Sequence, residues 1–267
     1  MTKSQGYAPV NGLTMYYEIE GEGDPLVFIP PAFGCAGSKS FPALAERHAI
    51  ITMDLQGHGR TADIVDRPLS IEQYAEDVVA LLKHLDVSKA DFLGESYGGN
   101  TAATVAVRHP ERVRRVATYS ATFSPPPSTL DPATTHYEQP PTAESRHIRF
   151  QRESHQNVAP DPSYWPRIYG KLESLEWRGF SKAELASIRA PMLIIQGDHD
   201  FVRLEHSVET FRLIPHAELA VIPSASHFAL SSEPERIMPI VKHFLEKPDE
   251  QLPLATAELG YYPRETR

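Results

Sequence analysis

The sequence predicts an α/β architecture: a mostly parallel, twisted β-sheet with helices on both faces and one inserted cap. Three observations carry that expectation. Six short runs are apolar on both faces and too short for a helix, as strands covered on each side are. Amphipathic helical patterns fall between them, so right-handed βαβ crossovers are the expected connections. The alternation then breaks in one place, Phe123 to Ala190, where prolines crowd. A chain of 267 residues is long for one domain, and a single continuous sheet carrying an insertion accommodates it.

Taken in order, Gly6 to Glu20 alternates apolar and polar residues around Asn11-Gly12, a dipeptide that tolerates positive φ and favours a two-residue hairpin turn. After the polar break GEGD, Pro25 to Ile29 reads as a central strand, and Ala49 to Met53 as the next. Ser70-Ile-Glu-Gln73 has the spacing of a capping box, followed by apolar residues at Ile71, Ala75, Val78, Val79, Leu82 and Leu85, which predicts an amphipathic helix. Strands are expected at Ala90 to Leu93, Val113 to Tyr119, Met192 to Ile195 and Glu218 to Ile222, with helices over Thr101 to His109 and Pro234 to Phe244. Within the insertion, SPPP, QPP, APDP and WP exclude long helices. Tyr164, Trp165, Ile168, Tyr169, Leu172, Leu175 and Trp177 nevertheless recur at roughly helical spacing, which a solvated linker would not need. The expected organisation is a core domain over 1–122, a cap over 123–190, the second part of the core over 191–247, and a tail over 248–267 that is frayed or laid on the surface through Tyr261 and Tyr262.

A formal net charge of -9 with scattered Lys and Arg leaves no basic stripe for phosphates, so nucleic acid is not an expected partner. The single cysteine, Cys35, excludes an internal disulfide framework and a thiolate metal cluster, and is read as a packing residue. The first residues hold no signal-type apolar stretch, and no apolar run approaches the ~20 residues that span a bilayer. The expectation is a soluble, cytoplasmic protein without a membrane partner. Gly57-His58-Gly59 and Gly21-Glu22-Gly23 are too short for dinucleotide fingerprints, and no spacing of histidine and carboxylate suggests a metal; no cofactor is expected.

The most informative stretch is GESYGGN, residues 94 to 100. A serine on a sharp turn between a strand ending at Leu93 and a helix beginning near Gly98 describes a nucleophile elbow. Glycines are needed around it because the serine's backbone is strained and a Cβ at Gly94 or Gly98 would strike the neighbouring strand or helix. Such a turn lifts Ser96 Oγ to the carboxyl edge of the sheet and aims the helix's first N–H groups at the same space.

With Met53-Asp-Leu-Gln-Gly-His-Gly-Arg60 and Pro191-Met-Leu-Ile-Ile-Gln-Gly-Asp-His-Asp200, this motif resembles the α/β-hydrolase superfamily, and the likeness extends to about Leu245. The resemblance implies an α/β-hydrolase fold and a Ser, acid, His relay, which a serine needs because its hydroxyl is a weak nucleophile at its free pKa. His227, in SASHF after the last strand, occupies the place of the base. Asp198 and Asp200 share one turn; the resemblance assigns the acid to Asp200 and leaves Asp198 to shape the turn. Oxyanion donors are expected at Tyr97 N–H and at Ala32 N–H. The second sits in Pro30-Pro31-Ala32-Phe33-Gly34, where the superfamily commonly carries His-Gly, so the loop either presents Ala32 as a donor or merely turns the chain. Phe33, Trp165, Tyr169, Val202 and Phe228 are candidate walls of the substrate pocket, or residues that pack the cap onto the sheet.

The expected activity is hydrolysis of a small-molecule carboxylic ester or lactone. Alternatives with the same three residues are a cofactor-free perhydrolase and a hydrolase of carbon–carbon bonds; from a different class, a ligand-binding receptor without turnover is also compatible. A serine at the elbow argues against the dehalogenase and epoxide hydrolase branches, which place an aspartate there. Oligomeric state has no signature in the sequence.

Overall fold

Among the described residues eight strands form one sheet, and numbered along the chain they lie in the order β1-β2-β4-β3-β5-β6-β7-β8. The computed structural model from which this is drawn describes residues 3–37, 41–125, 128–131 and 146–248. Strands β1 (Lys3–Val10) and β2 (Leu13–Glu20) make the expected hairpin, with Asn11 at φ 47° and Gly12 at φ 85° closing a turn between Val10 and Leu13. β2 then lies antiparallel to β4 (His48–Met53). Every later pairing is parallel, linking β3 (Asp24–Ile29), β4, β5 (Ala90–Glu95), β6 (Val113–Tyr119), β7 (Met192–Gly197) and β8 (Ala217–Ile222).

Strand alternation divides the apolar residues between two cores. Val27 and Ile29 of β3 face α2 (Ile71–His84) and α3 (Tyr97–Arg108), whereas Leu26 and Phe28 face α1 (Pro42–Ala45) and the C-terminal helix. β8 departs from expectation: it is the edge strand, most of its residues are half-buried, and Val221 is 43% exposed, because only one neighbour covers its flank.

The N-terminus of α2 also corrects a detail. Ser70 Oγ accepts the Gln73 N–H at 3.1 Å, but the Gln73 side chain donates forward to Asp77 Oδ1 at 2.9 Å instead of back to Ser70. Asp77 is fully buried and also takes bonds from Asn11 and Arg67, and a buried carboxylate costs more to leave unsatisfied than an accessible helix-end N–H. The complete capping box lies elsewhere, at Ser181 and Glu184, opening α6 (Lys182–Ser187).

Between β6 and β7 the described residues form α4 (Arg146–Gln156), α5 (Trp165–Glu173) and α6. α5 stops at Glu173, so Trp177, placed by spacing on the same helix, stands beyond it and packs edge-on against Phe180 at 5.4 Å. Leu185 of α6 and Ile188 join the main core beside the sheet. α4 and α5 instead form a smaller cluster, Ile148, Trp165 and Ile168, around Phe33. A short bridge pairs Leu130 with Val202. After β7 come α7 (Leu204–Leu213), α8 (Ala229–Ser232) and α9 (Pro234–Glu246). The expectations for the tail, including Tyr261 and Tyr262, and for most of 126–145 lie outside the described residues.

Candidate active site

Ser96 stands between β5 and α3 at φ 53° and ψ -119°, a conformation that is strained for any residue with a side chain. Its surroundings leave little choice. A Cβ at Gly94 would sit 2.2 Å from the Gly98 carbonyl oxygen, and one at Gly98 would sit 2.0 Å from that of Ile29. The close approach of β3 therefore dictates the glycines, and the Ser96 N–H is pinned to the Tyr119 carbonyl at 2.8 Å.

His227 follows β8, and its Nε2 lies 3.0 Å from Ser96 Oγ. Its Nδ1 lies 2.8 Å from Asp200 Oδ1. An acceptor-only carboxylate places the imidazole proton on Nδ1, so Nε2 is left with its lone pair toward the serine hydroxyl. The ring is held from the sides as well: Phe201 stacks on it at 4.0 Å and Phe228 meets it edge-on at 5.2 Å.

Asp200 is buried, and its carboxylate accepts three bonds: His227 Nδ1–H and the Val202 N–H at 3.0 Å on Oδ1, and the Ser120 hydroxyl at 2.5 Å on Oδ2. Asp198 does something else. Its Oδ1 accepts the Ala225 N–H at 3.2 Å, tying the turn after β7 to the loop that carries His227.

Tyr97 opens α3, so its N–H belongs to the first turn, where backbone donors have no intrahelical partner. The Pro30-Pro31 loop is a tight turn in which the Gly34 N–H donates to the Pro31 carbonyl at 2.8 Å and Phe33 adopts φ 59°. The carbonyls of Ile29 and Pro30, which lead into this turn, abut Gly98 in the first turn of α3, and Ala32 packs against the cluster of Phe33, Ile148, Trp165 and Ile168.

The candidate pocket residues divide. Phe33, Trp165 and Tyr169 come together, with Phe33 centroids 4.6 Å from Trp165 and 6.1 Å from Tyr169. Phe228 lies against His227 and is half exposed. Val202 is buried and engaged in its bridge with Leu130. The turn containing His58 is packed: Asp54 accepts the Ala36 and Arg60 N–H groups, Thr61 Oγ1 accepts the Tyr16 N–H, and His58 Nδ1 donates to the Gln56 carbonyl. Burial holds the His58 pKa down at about 4, so the ring is neutral. Ser120, Tyr119 and Phe201 were not among the expected site residues; the available signal was that the first two lie at the end of β6, the strand between those that lead to Ser96 and Asp200.

Among the described residues no group of three His, Cys, Asp or Glu side chains is arranged to hold a metal ion, and no helix is long and apolar enough to cross a membrane.

Residues 24–147 match the family model described as the alpha/beta hydrolase fold. The chain is 25% identical over 263 residues to a 2-hydroxymuconate semialdehyde hydrolase of Pseudomonas putida, covering 86% of this chain and 90% of that protein. It is 40% identical over 119 residues to the dihydrolipoyllysine-residue acetyltransferase component of an acetoin cleaving system from Pseudomonas putida, a match covering 42% of this chain and 32% of that protein. Among solved structures, Est816, described as an N-acyl homoserine lactone degrading enzyme, superposes with a TM-score of 0.70 at 26% identity, covering 90% of this chain and all of that one. Sheet order, elbow and these matches agree that the chain has the α/β-hydrolase fold and is an enzyme of the hydrolase class.

Proposed function

We propose that the chain hydrolyses a small carboxylic ester or lactone through an acyl-enzyme on Ser96. The observation that carries this reading is the continuous relay from Ser96 Oγ to His227 Nε2 at 3.0 Å and from His227 Nδ1 to Asp200 Oδ1 at 2.8 Å. Both lengths are within proton-transfer reach.

Ser96 Oγ attacks the carbonyl carbon as its proton passes to His227 Nε2. Asp200 stabilises the imidazolium, and the oxyanion is received by the N–H groups of Tyr97 and Ala32. Collapse of the tetrahedral intermediate returns the proton to the leaving alkoxide oxygen. A water, deprotonated by the same Nε2, then attacks the acyl carbonyl; the second collapse frees the carboxylic acid and reprotonates Ser96. In this reading α4 and α5 cap the site, and Phe33, Trp165, Tyr169 and Phe228 present aromatic surface to an apolar acyl or alcohol group.

The test is turnover of p-nitrophenyl acetate, butyrate and octanoate without peroxide, together with fluorophosphonate labelling. Wild type is expected to turn over and to be labelled, and Ser96→Ala to do neither. An unlabelled wild type that still gains melting temperature with a ligand would replace the reading with that of a receptor. A second reading, carbon–carbon bond hydrolysis by the same residues, is favoured by the match to 2-hydroxymuconate semialdehyde hydrolase along most of the chain. Faster turnover of 2-hydroxymuconate semialdehyde than of any ester would select it.

A further inference from the structure

The parallel strands β5, β6 and β7 are neighbours in the sheet, and each is followed at the same edge by a polar residue of the site. β5 runs directly into Ser96 and β7 runs into the turn holding Asp200. Between them, β6 is followed by Ser120, which is buried, 1% exposed, and held at φ 54°. The ladder continues one step past the strands: Ser96 N–H donates to Tyr119 and Ser120 N–H donates to the Ile195 carbonyl at 2.9 Å. Ser120 is thus fixed relative to the nucleophile on one side and the acid's strand on the other.

We propose that Ser120 is a positioning residue for the hydrolytic reaction, setting the orientation of the Asp200 carboxylate toward His227; the inference rests on the relay proposed above. Its hydroxyl donates to Asp200 Oδ2, so Oδ1, which receives the Val202 N–H, is the oxygen aimed at His227. Without that donor the carboxylate has one anchored oxygen instead of two and can rotate about its Cβ–Cγ bond. Its charge, no longer shared with the hydroxyl, also weighs more heavily on the imidazole. The adjacent Tyr119 serves the other partner: its buried phenol, whose pKa burial raises to about 12, stays protonated and donates to the Ser226 carbonyl, next to His227, at 2.6 Å. A serine at positive φ is a costly choice where glycine would be relaxed, and such a residue persists when its side chain is required.

The experiment is a cycle of Ser120→Gly, Asp200→Asn and the double variant, with the pH profile of kcat/KM on p-nitrophenyl butyrate. Glycine accepts the backbone conformation, so Ser120→Gly tests the hydroxyl alone. It is expected to keep the wild-type circular dichroism spectrum and to lose roughly 10- to 100-fold in kcat, the factor that losing a hydrogen bond to a charged group corresponds to. Its acid limb is expected to move up by about half a pH unit, because a less neutralised carboxylate favours imidazolium. In the Asp200→Asn background the same change should cost less than about threefold, since Ser120 acts through Asp200. Additive losses, an unmoved pH profile, turnover within twofold of wild type, or an unfolded Ser120→Gly would each overturn the proposal. Labelling of wild-type Ser96 and inactivity of Ser96→Ala test the underlying relay independently.

Discussion

Asp198 and Asp200 share one turn, and what separates them is the company of each oxygen. Asp198 is a third exposed and holds a backbone N–H across the loop, whereas Asp200 is buried and meets the imidazole. The physical role follows from burial: only in a water-poor site does a carboxylate hold a neutral ring in one tautomer and stabilise its cation strongly. Asp200→Asn is therefore expected to leave the fold intact and to lower kcat by about 10³- to 10⁴-fold, since the amide no longer fixes the proton on Nδ1. Asp198→Asn should stay within roughly threefold, because an amide oxygen still accepts the Ala225 N–H. Steady-state kinetics of the two variants checks this; the reverse ranking would transfer the acid to Asp198.

At the scale of elements, α6 shows how local chemistry stabilises a short helix that propensity alone would not. Ser181 Oγ accepts the Glu184 N–H while Glu184 reaches back to the Ser181 N–H, and the resulting helix carries Leu185 into the main core. Ser181→Ala is expected to cost about 1 kcal/mol and to lower Tm by about 2–4 °C, read by calorimetry; an unchanged Tm would show the box to be idle. This capping box was present in the sequence as S-x-x-E but opens a helix of only six residues, too short to show an apolar period, whereas Ser70 to Gln73 had the same form and delivers only half the motif because Asp77 captures Gln73. Strands were legible where both faces are covered, as for β3, and less so for β8, because an apolar run does not reveal whether a neighbour exists. The same distinction holds for the site. Ser96, Asp200 and His227 sit at strand ends that carry recognisable motifs, and the fold brings them together. The Ser120 contact with Asp200 depends on how β6 lies beside β7, which no local pattern records.

The whole molecule stores several ionisable groups whose burial couples its stability to pH. His58, packed between Phe33 and Tyr74, and His206, whose Nε2 accepts the Phe123 N–H at 2.9 Å, each have a pKa lowered by burial to about 4 from an unfolded 6.5. His155 is shifted the same way by burial. As pH falls below 6.5 the unfolded chain takes up these protons first, so the stability they contribute is fully present above that value and is lost progressively toward pH 4. Asp54 acts in the opposite sense: burial raises its pKa to about 6, so the folded chain binds its proton first and gains stability as pH falls from above 6 toward 4. Between pH 7 and 5, linkage gives a loss of about 2 kcal/mol for each of the two histidines and a gain of about 1 kcal/mol for Asp54, and the histidines prevail. Urea unfolding should therefore show a lower midpoint at pH 5 than at pH 7. In His206→Gln, whose amide cannot titrate, the difference between the two midpoints should shrink by about two-thirds, even though the variant is less stable overall. A midpoint that rises on acidification would mean that Asp54 outweighs the histidines, and a variant with an undiminished difference would clear His206 of any part in it.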